Sequence, residues 1–234
     1  MSDLFKLIIV ASLLISSCSN LAKKEEISLK IPDGMIWVEG KAYTKGAKND
    51  DLNAMMREKP SHEVYVDGFF IDVTEVTNNQ FKKFVEETGY VTIAEKEIDW
   101  EEMKKSLPVG TPKPHDSILQ PGSLIFNDRI KKVENMENYF QWWRWQTGAN
   151  WKAPKGPGSN IDNMGEFPVV HIAYEDAKAY CRWANRRLPT EAEWESAAQG
   201  NYVNAVFTWG NETGGLKSKA NTWHGDFPIV NKSL

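Results

Sequence analysis

The chain has 234 residues, 41% of them hydrophobic and 26% charged, and a formal net charge of −4. This ordinary globular composition implies one sizeable domain and excludes both a disordered chain and a protein that crosses a membrane many times. No Lys/Arg-rich block accompanies the slight negative charge, so the footprint of a phosphate-backbone binder is missing and nucleic acid is excluded as the main partner.

The first predicted element is an address. Residues 5–15 are a continuous apolar run, too short to span a bilayer and placed where a signal-peptide core belongs. The run ends in Ile15-Ser16-Ser17-Cys18, small residues leading to a cysteine, as in a bacterial lipobox. On that reading 1–17 is a signal peptide, Cys18 is the lipidated N-terminus, and the polar stretch 18–32 is a tether that holds the domain off the membrane. The plainer alternative is a secretory peptide with an incidental cysteine. Both predict export, and the lipid anchor predicts a place in the bacterial cell envelope, in the periplasm or at the outer membrane. Lipidation of Cys18 leaves Cys181 alone in an oxidising compartment. That points to a missing partner, an intermolecular bridge or a reactive thiol.

A folded domain is expected over 33–234. Residues 35–38 and 63–66 read as short strands, and Asp67-Gly68 before Phe69-Phe70-Ile71-Asp72-Val73 is the signal for a tight hairpin. Thr77 with Gln80 forms a capping box for a helix that carries Phe81, Phe84 and Val85 on one face and stops at Gly89. Residues 108–121 and 152–165 are rich in Pro, Gly and Asn and are expected as loops. They bracket an aromatic stretch that includes Trp142, Trp143 and Trp145, with Trp151 just beyond. Trp combines a large apolar body with an N–H that wants a partner, so these side chains serve either as anchors for irregular chain or as a stacking platform.

Residues 167–172 read as a strand leading into a helix near 174–185, with Ala177, Tyr180, Cys181 and Ala184 on one stripe. Leu188-Pro189 breaks it. Thr190 and Glu193 then form a second capping box for a short helix with Trp194, Ala197 and Ala198 on one face. Short strands, two or three helices and much irregular chain amount to an α+β fold with little regular secondary structure.

The search for chemistry mostly excludes. His62, His115, His171 and His224 are scattered, and none belongs to a His-x-x-His or Cys-x-x-Cys spacing, so a zinc or non-haem iron centre lacks ligands. There is no Gly-x-Ser-x-Gly elbow and no Walker-type loop. Glu191, Glu193 and Glu195 alternate along a helix, which points them in different directions and mostly to solvent.

Several strings are nevertheless similar to the formylglycine-generating enzyme (sulfatase-modifying factor) family. They are Thr74-Glu75-Val76-Thr77-Asn78; Thr88-Gly89-Tyr90-Val91-Thr92; Gly148-Ala149-Asn150-Trp151 with Gly156-Pro157-Gly158-Ser159; and, most specific, the run from Arg187-Leu188-Pro189-Thr190 through Glu191-Ala192-Glu193-Trp194-Glu195. Ala220-Asn221-Thr222-Trp223-His224-Gly225 extends the match. The resemblance implies a formylglycine-generating-enzyme fold related to C-type-lectin-like domains. It also implies an oxidase that converts the cysteine of a sulfatase's Cys-x-Pro-x-Arg motif to formylglycine with molecular oxygen and with copper held by two cysteines. Those two cysteines belong to a Cys-x-x-x-x-Cys segment near the family's C-terminus, which this chain does not contain. The resemblance therefore implies a C-terminally incomplete domain, about the N-terminal two-thirds, with no catalytic residue of its own and no capacity to bind copper.

Three further positions carry over from the family. Asn221, through its side-chain oxygen, and Thr222, through its carbonyl, match two ligands of a calcium site, a partial one since calcium takes about six to eight oxygens. Cys181 matches a position that forms a disulfide with a cysteine later in the family's chain. The main expectation is thus a sulfatase-directed oxidase whose activity this chain alone lacks. The alternative is a non-catalytic cell-surface lipoprotein of the same fold, of the kind found in gliding-motility assemblies. A sugar-binding lectin-like module is a third reading, resting on fold analogy alone.

Overall fold

In the computed structural model, residues 30–52, 54–203, 205–212 and 214–232 are described, and Pro32–Leu234 forms a unit of its own. The expected signal segment and Cys18 lie outside the described residues. The first part of the domain is a long antiparallel ribbon. Its strands β1 (Met35–Val38), β2 (Lys41–Lys45), β3 (His62–Val66) and β4 (Phe69–Asp72) pair as β1 with β4 and β2 with β3. Val38 faces Phe69 and Lys41 faces Val66, so the register runs unchanged across the gap between the two ladders.

Asp67-Gly68 is therefore not a hairpin tip. It is an interruption in one arm of the ribbon, opposite Glu39-Gly40, and the connection between the arms is the longer segment 46–61. A close approach explains the glycine: a Cβ on Gly68 would sit 2.2 Å from the Trp37 ring. The Trp37 ring meets Phe70 edge-on at 5.0 Å. An Asp-Gly pair marks a tight turn and a tight contact with the same letters, and only the partner strand distinguishes them.

The first helix is the one that the capping box predicts. In α1 (Asn78–Thr88) the Thr77 hydroxyl accepts from the Gln80 backbone amide at 3.3 Å, the Gln80 side-chain Oε1 accepts from the Thr77 backbone amide at 2.8 Å, and Gly89 closes the helix in the left-handed region at φ 66°. Residues 167–172, expected as a strand, make only an isolated bridge between Pro168 and Thr77. Pro168 has no N–H to donate, and His171 sits at φ 59°, so no ladder can extend in either direction. The segment instead ties down the start of α1, with Val169 donating to the Val76 carbonyl and Asn78 to the Phe167 carbonyl, both at 2.9 Å.

Three strands escaped the sequence reading, β2 in the ribbon and two more that follow α1. After α2 (Trp100–Lys104), β5 (Gly122–Phe126) pairs with β6 (Trp143–Thr147). The Trp-Arg-Trp-Gln-Thr order of β6 has the period of two that a strand requires, hidden inside an aromatic-rich stretch. A Cβ on Gly122 would lie 2.4 Å from the Gln146 carbonyl oxygen, so the ladder needs glycine there. His171 braces this pair from outside: its Nε2 donates to the Pro154 carbonyl at 2.9 Å, and its Nδ1 accepts from the Ser123 hydroxyl at 2.8 Å.

Helix α3 (Tyr174–Trp183) packs on α1 through an aromatic core of Phe81, Phe84, Trp151 and Tyr180. Phe81 meets Trp151 edge-on at 5.3 Å and stacks on Tyr180 at 6.0 Å. Each such pair contributes about 0.5–1.5 kcal/mol beyond area burial. The expected stripe of α3 is rotated: Ala179, Tyr180, Trp183 and Ala184 join this core, whereas Ala177 and Cys181 do not. At the start of α3, Asp176 is fully buried and accepts from Tyr90 Oη at 3.0 Å, from the Ile93 amide at 3.1 Å and from the Ala173 amide at 2.9 Å.

Helix α4 (Glu191–Gln199) rests on the ribbon, where Tyr43, Val66 and Phe69 form a second core that Ala192 and Ala197 cover. Its buried face carries Ser196, while Trp194, expected on the packed face, is 61% exposed. After α5 (Leu216–Lys219), the remaining described residues form no helix or strand. The whole is a mixed α and β fold of short antiparallel pairs and short helices joined by ordered irregular chain.

Candidate functional site

The connection from α3 to α4 turns back on itself because Asn185 adopts the left-handed conformation at φ 53°. This brings Arg186 onto the ribbon, where its guanidinium pairs with Asp72 and donates to the Asp33 carbonyl at 3.3 Å. Beyond Arg186, Leu188-Pro189 carries the chain away again. Between this connection and β4 lies a cleft of about 690 Å³, bounded by Cys181, Leu188 and Trp194 on one side and by the continuous run 69–76 on the other.

Cys181 is half-buried at this cleft. Desolvation by its surroundings raises the thiol pKa, the Asp72 carboxylate raises it further, and Arg186 and Arg182 act in the opposite sense. A protonated thiol is a weak nucleophile and a weak metal ligand. Among the described residues no three His, Cys, Asp or Glu side chains gather to hold a metal.

The three glutamates of α4 diverge, as their alternate spacing predicts, but each has a partner. Glu191 pairs with Lys45 at 2.9 Å, and Glu195 accepts from the Gly46 amide at 3.3 Å. Glu193 departs from the solvent-facing expectation: its side chain is only 12% exposed. It accepts from both Arg187 guanidinium nitrogens at 2.5 and 2.6 Å and from the Thr190 amide at 2.7 Å. The Arg187 hydrogen bonds, reinforced by the Thr190 cap, hold its pKa down to about 2. The Arg187-to-Glu195 string therefore builds a rigid start to α4 at the rim of the cleft.

Asn221 and Thr222 do not line this cleft. They are exposed and follow α5 in irregular chain, with the Thr222 hydroxyl 3.0 Å from His224 Nε2. The next residues fold back through an aromatic pad against β5 and β6, in which Trp223 meets Phe126 at 5.8 Å and Phe227 meets Trp142 edge-on at 5.2 Å. Trp142 and Trp151 thus act as anchors, whereas Trp143 and Trp145 remain 39% and 40% exposed.

The Arg187-to-Glu195 element, the braced loop 148–159 and the Trp223 pad coincide with the strings that suggested a family. A family model described as the sulfatase-modifying factor enzyme 1-like domain matches residues 20–234. The chain belongs to the sulfatase-modifying factor family. It is 44% identical over 175 residues to the formylglycine-generating enzyme of Mycobacterium tuberculosis, covering 74% of this chain and 55% of the relative. It is 38% identical over 180 residues to the inactive C-alpha-formylglycine-generating enzyme 2 of Mus musculus, covering 75% and 50%. A solved structure of PvdO from Pseudomonas aeruginosa aligns over 70% of this chain and 46% of that one, with a TM-score of 0.39 and 18% identity. The chain spans about half the length of the curated relatives it matches.

The sulfatase-modifying factor domain thus owes its most specific sequence string to local engineering of a helix start. Asp72, Arg186 and Asp176 were not legible as site or core residues, because each acquires its meaning from a contact far away along the chain. The one signal available was the capping position of Asp176, three residues after Ala173.

Proposed function

We propose that the complete protein containing this domain oxidises the cysteine of a Cys-x-Pro-x-Arg motif in a sulfatase to formylglycine, and that this chain alone does not. The observation that carries the reading is the match to the sulfatase-modifying factor model over residues 20–234, together with 44% identity to a formylglycine-generating enzyme. An inactive relative matches almost as well, so identity over this portion does not separate active members from inactive ones.

The residues of this chain do not fit the copper of the reaction. Copper(I) favours a pair of soft thiolates. The sequence has only Cys18 and Cys181, and Cys181 is a single thiol whose pKa is raised. The proposal therefore puts the copper-holding pair elsewhere in the complete protein and leaves Cys181 as one half of a structural disulfide. Calcium has a partial claim: Asn221 and Thr222 offer two hard oxygens on an exposed segment, which further ligands would have to complete. Export with a lipid anchor at Cys18, and kinship of the fold to C-type-lectin-like domains, belong to the same proposal. The apolar run 5–15 and the small residues before Cys18 support the first, and the short antiparallel pairs joined by long ordered loops support the second.

The test is turnover. A synthetic peptide carrying Cys-x-Pro-x-Arg is incubated aerobically with copper and either this chain or a longer form carrying the cysteine pair, and conversion of cysteine to formylglycine is followed by mass spectrometry. Conversion by the longer form alone is the expected result. Conversion by this chain would overturn the assignment of copper to an absent pair, and no conversion by the longer form would overturn the function.

A further inference from the structure

We propose that the loop between β5 and β6 docks on a lipid bilayer: its apolar side chains insert among the headgroups and seat the domain on the membrane that holds its anchor. Residues 127–142 close on themselves as an Ω-loop does, with the Asn127 amide donating to the Trp142 carbonyl at 2.8 Å across the neck. Gln141 is the hub inside. Its Oε1 accepts from the Glu134 amide at 2.8 Å, and its Nε2 donates to the Asn135 carbonyl at 2.7 Å and to the Asn138 carbonyl at 3.3 Å. Among the described residues, the hydrogen bonds of 128–141 stay within this loop. The frame holds its apolar groups outward: Met136 is 66% exposed, Phe140 64% and Tyr139 54%, and the two rings lie 4.5 Å apart. The aromatic pad of Trp223 and Phe227 takes Phe126 and Trp142, and among the described residues it makes no ring contact with Tyr139 or Phe140.

Exposed apolar groups rimmed by charge mark a protein or a membrane contact, and two observations select the membrane. First, Arg129, Lys131 and Lys132 are exposed in the same loop and form no ion pair among the described residues. Tyr, Phe and Met beside long cationic side chains are what an interfacial contact uses: the rings sit at headgroup level and the cations reach the phosphates. Asp128, Glu134 and Glu137 are exposed too and offset this charge, so apolar insertion drives the docking and added salt changes it little. Second, the lipid anchor proposed for Cys18, on which this inference rests, keeps the domain close. Residues 18–32 reach at most about 50 Å when fully extended and about 20 Å on average, while a domain of this length is about 40 Å across. The loop therefore meets the bilayer at a high effective concentration, where even a weak insertion is well populated.

The experiment replaces the natural anchor. Residues 19–234, carrying an N-terminal histidine tag, are held by a nickel-chelating lipid on vesicles of phosphatidylethanolamine and phosphatidylglycerol; the folded unit begins at Pro32, so the domain is retained whole. On a Cys181→Ser background, a polarity-sensitive dye is attached at Glu137→Cys and, in a second sample, at Lys82→Cys on α1. Emission from position 137 should shift to the blue and be quenched by doxyl-labelled lipid, emission from position 82 should do neither, and raised salt should change neither result. Tyr139→Ser combined with Phe140→Ser should lower the docking constant at least about tenfold, and because both rings are mostly exposed the variant keeps its fold. No quenching at 137, equal quenching at both positions, or no loss in the double variant overturns the proposal. A blue shift that needs no vesicles and grows with protein concentration also overturns it, since a second copy then covers the loop. The mass of the N-terminal peptide of the exported protein reports the anchor separately: an unmodified Cys18 would refute the anchor, and the proposal with it, without altering the vesicle result.

Discussion

Asp176→Ala tests the buried clamp between the 90–95 segment and α3. The carboxylate is fully buried and forms no ion pair with any described residue, yet it accepts from Tyr90 Oη and from the Ile93 and Ala173 amides. Net contributions of about 1.5–3 kcal/mol for each hydrogen bond to a charged group would sum to well over 4 kcal/mol. Removing a buried carboxylate also relieves its desolvation cost, so a loss of about 3 kcal/mol is the expected net effect. Asp176→Asn keeps the shape but turns an NH2 toward a backbone N–H, and should cost about 1–3 kcal/mol. Urea unfolding monitored by tryptophan fluorescence, to which the buried Trp151 contributes, measures both. Tyr90→Phe in a double-mutant cycle isolates the phenol contact, with a coupling of about 0.5–3 kcal/mol. If Asp176→Ala lay within about 1 kcal/mol of the unaltered chain, the clamp would be ornamental and the reasoning wrong.

Burial, then the hydrogen bond to Asp176, pushes the Tyr90 hydroxyl up to about 12 from an ordinary 10.0. A raised folded value means the contribution is complete below about pH 10 and is lost as the pH rises toward 12, so Tyr90→Phe should flatten the alkaline limb of a stability-against-pH curve. Glu193 runs the other way: with its value held down to about 2 from 4.5, its contribution is complete above about pH 4.5 and is lost as the pH falls toward 2. Glu193→Gln should therefore lower the urea midpoint at about pH 7 by the equivalent of about 1–2 kcal/mol and change it little at about pH 2. Phe81→Ala, which empties the centre of the aromatic core, should cost about 3–5 kcal/mol, whereas Trp194→Ala should cost less than about 0.5 kcal/mol because its ring is mostly in solvent. Gly122→Ala should disrupt the β5 and β6 pairing, visible as lost amide protection in that hairpin alone.

Local chemistry was legible in the letters. The capping boxes at Thr77 and Thr190, the stop at Gly89 and the loops at 152–165 depend on neighbours a few residues apart, and the sequence carries all of those terms. The family, too, was legible, because the Arg187-to-Glu195 string is long and specific enough to survive without any coordinates. Periodicity placed α3 correctly but not its face: the stripe rotates by about one residue because Phe81 and Phe84 of α1 select Tyr180 and Trp183, and nothing within α3 records that choice.

The remaining features needed the tertiary structure, for one physical reason: they are pairings between distant segments whose energies exceed the local preference. Asp67-Gly68 has the makings of a tight turn, yet the continuing register between Val38 and Phe69 converts it into a break in a ribbon. Residues 167–172 look like a strand, but Pro168 and the left-handed His171 leave them bracing α1 instead. The cleft itself joins β4 to the α3–α4 connection through Asp72 and Arg186, and neither residue signals the other. The sequence by itself determined the family, the helix starts and the chemistry available. Only the tertiary structure decided which strands pair, which face of each helix is buried and which side chains line the cleft beside β4, because those follow from long-range contacts that no local pattern encodes.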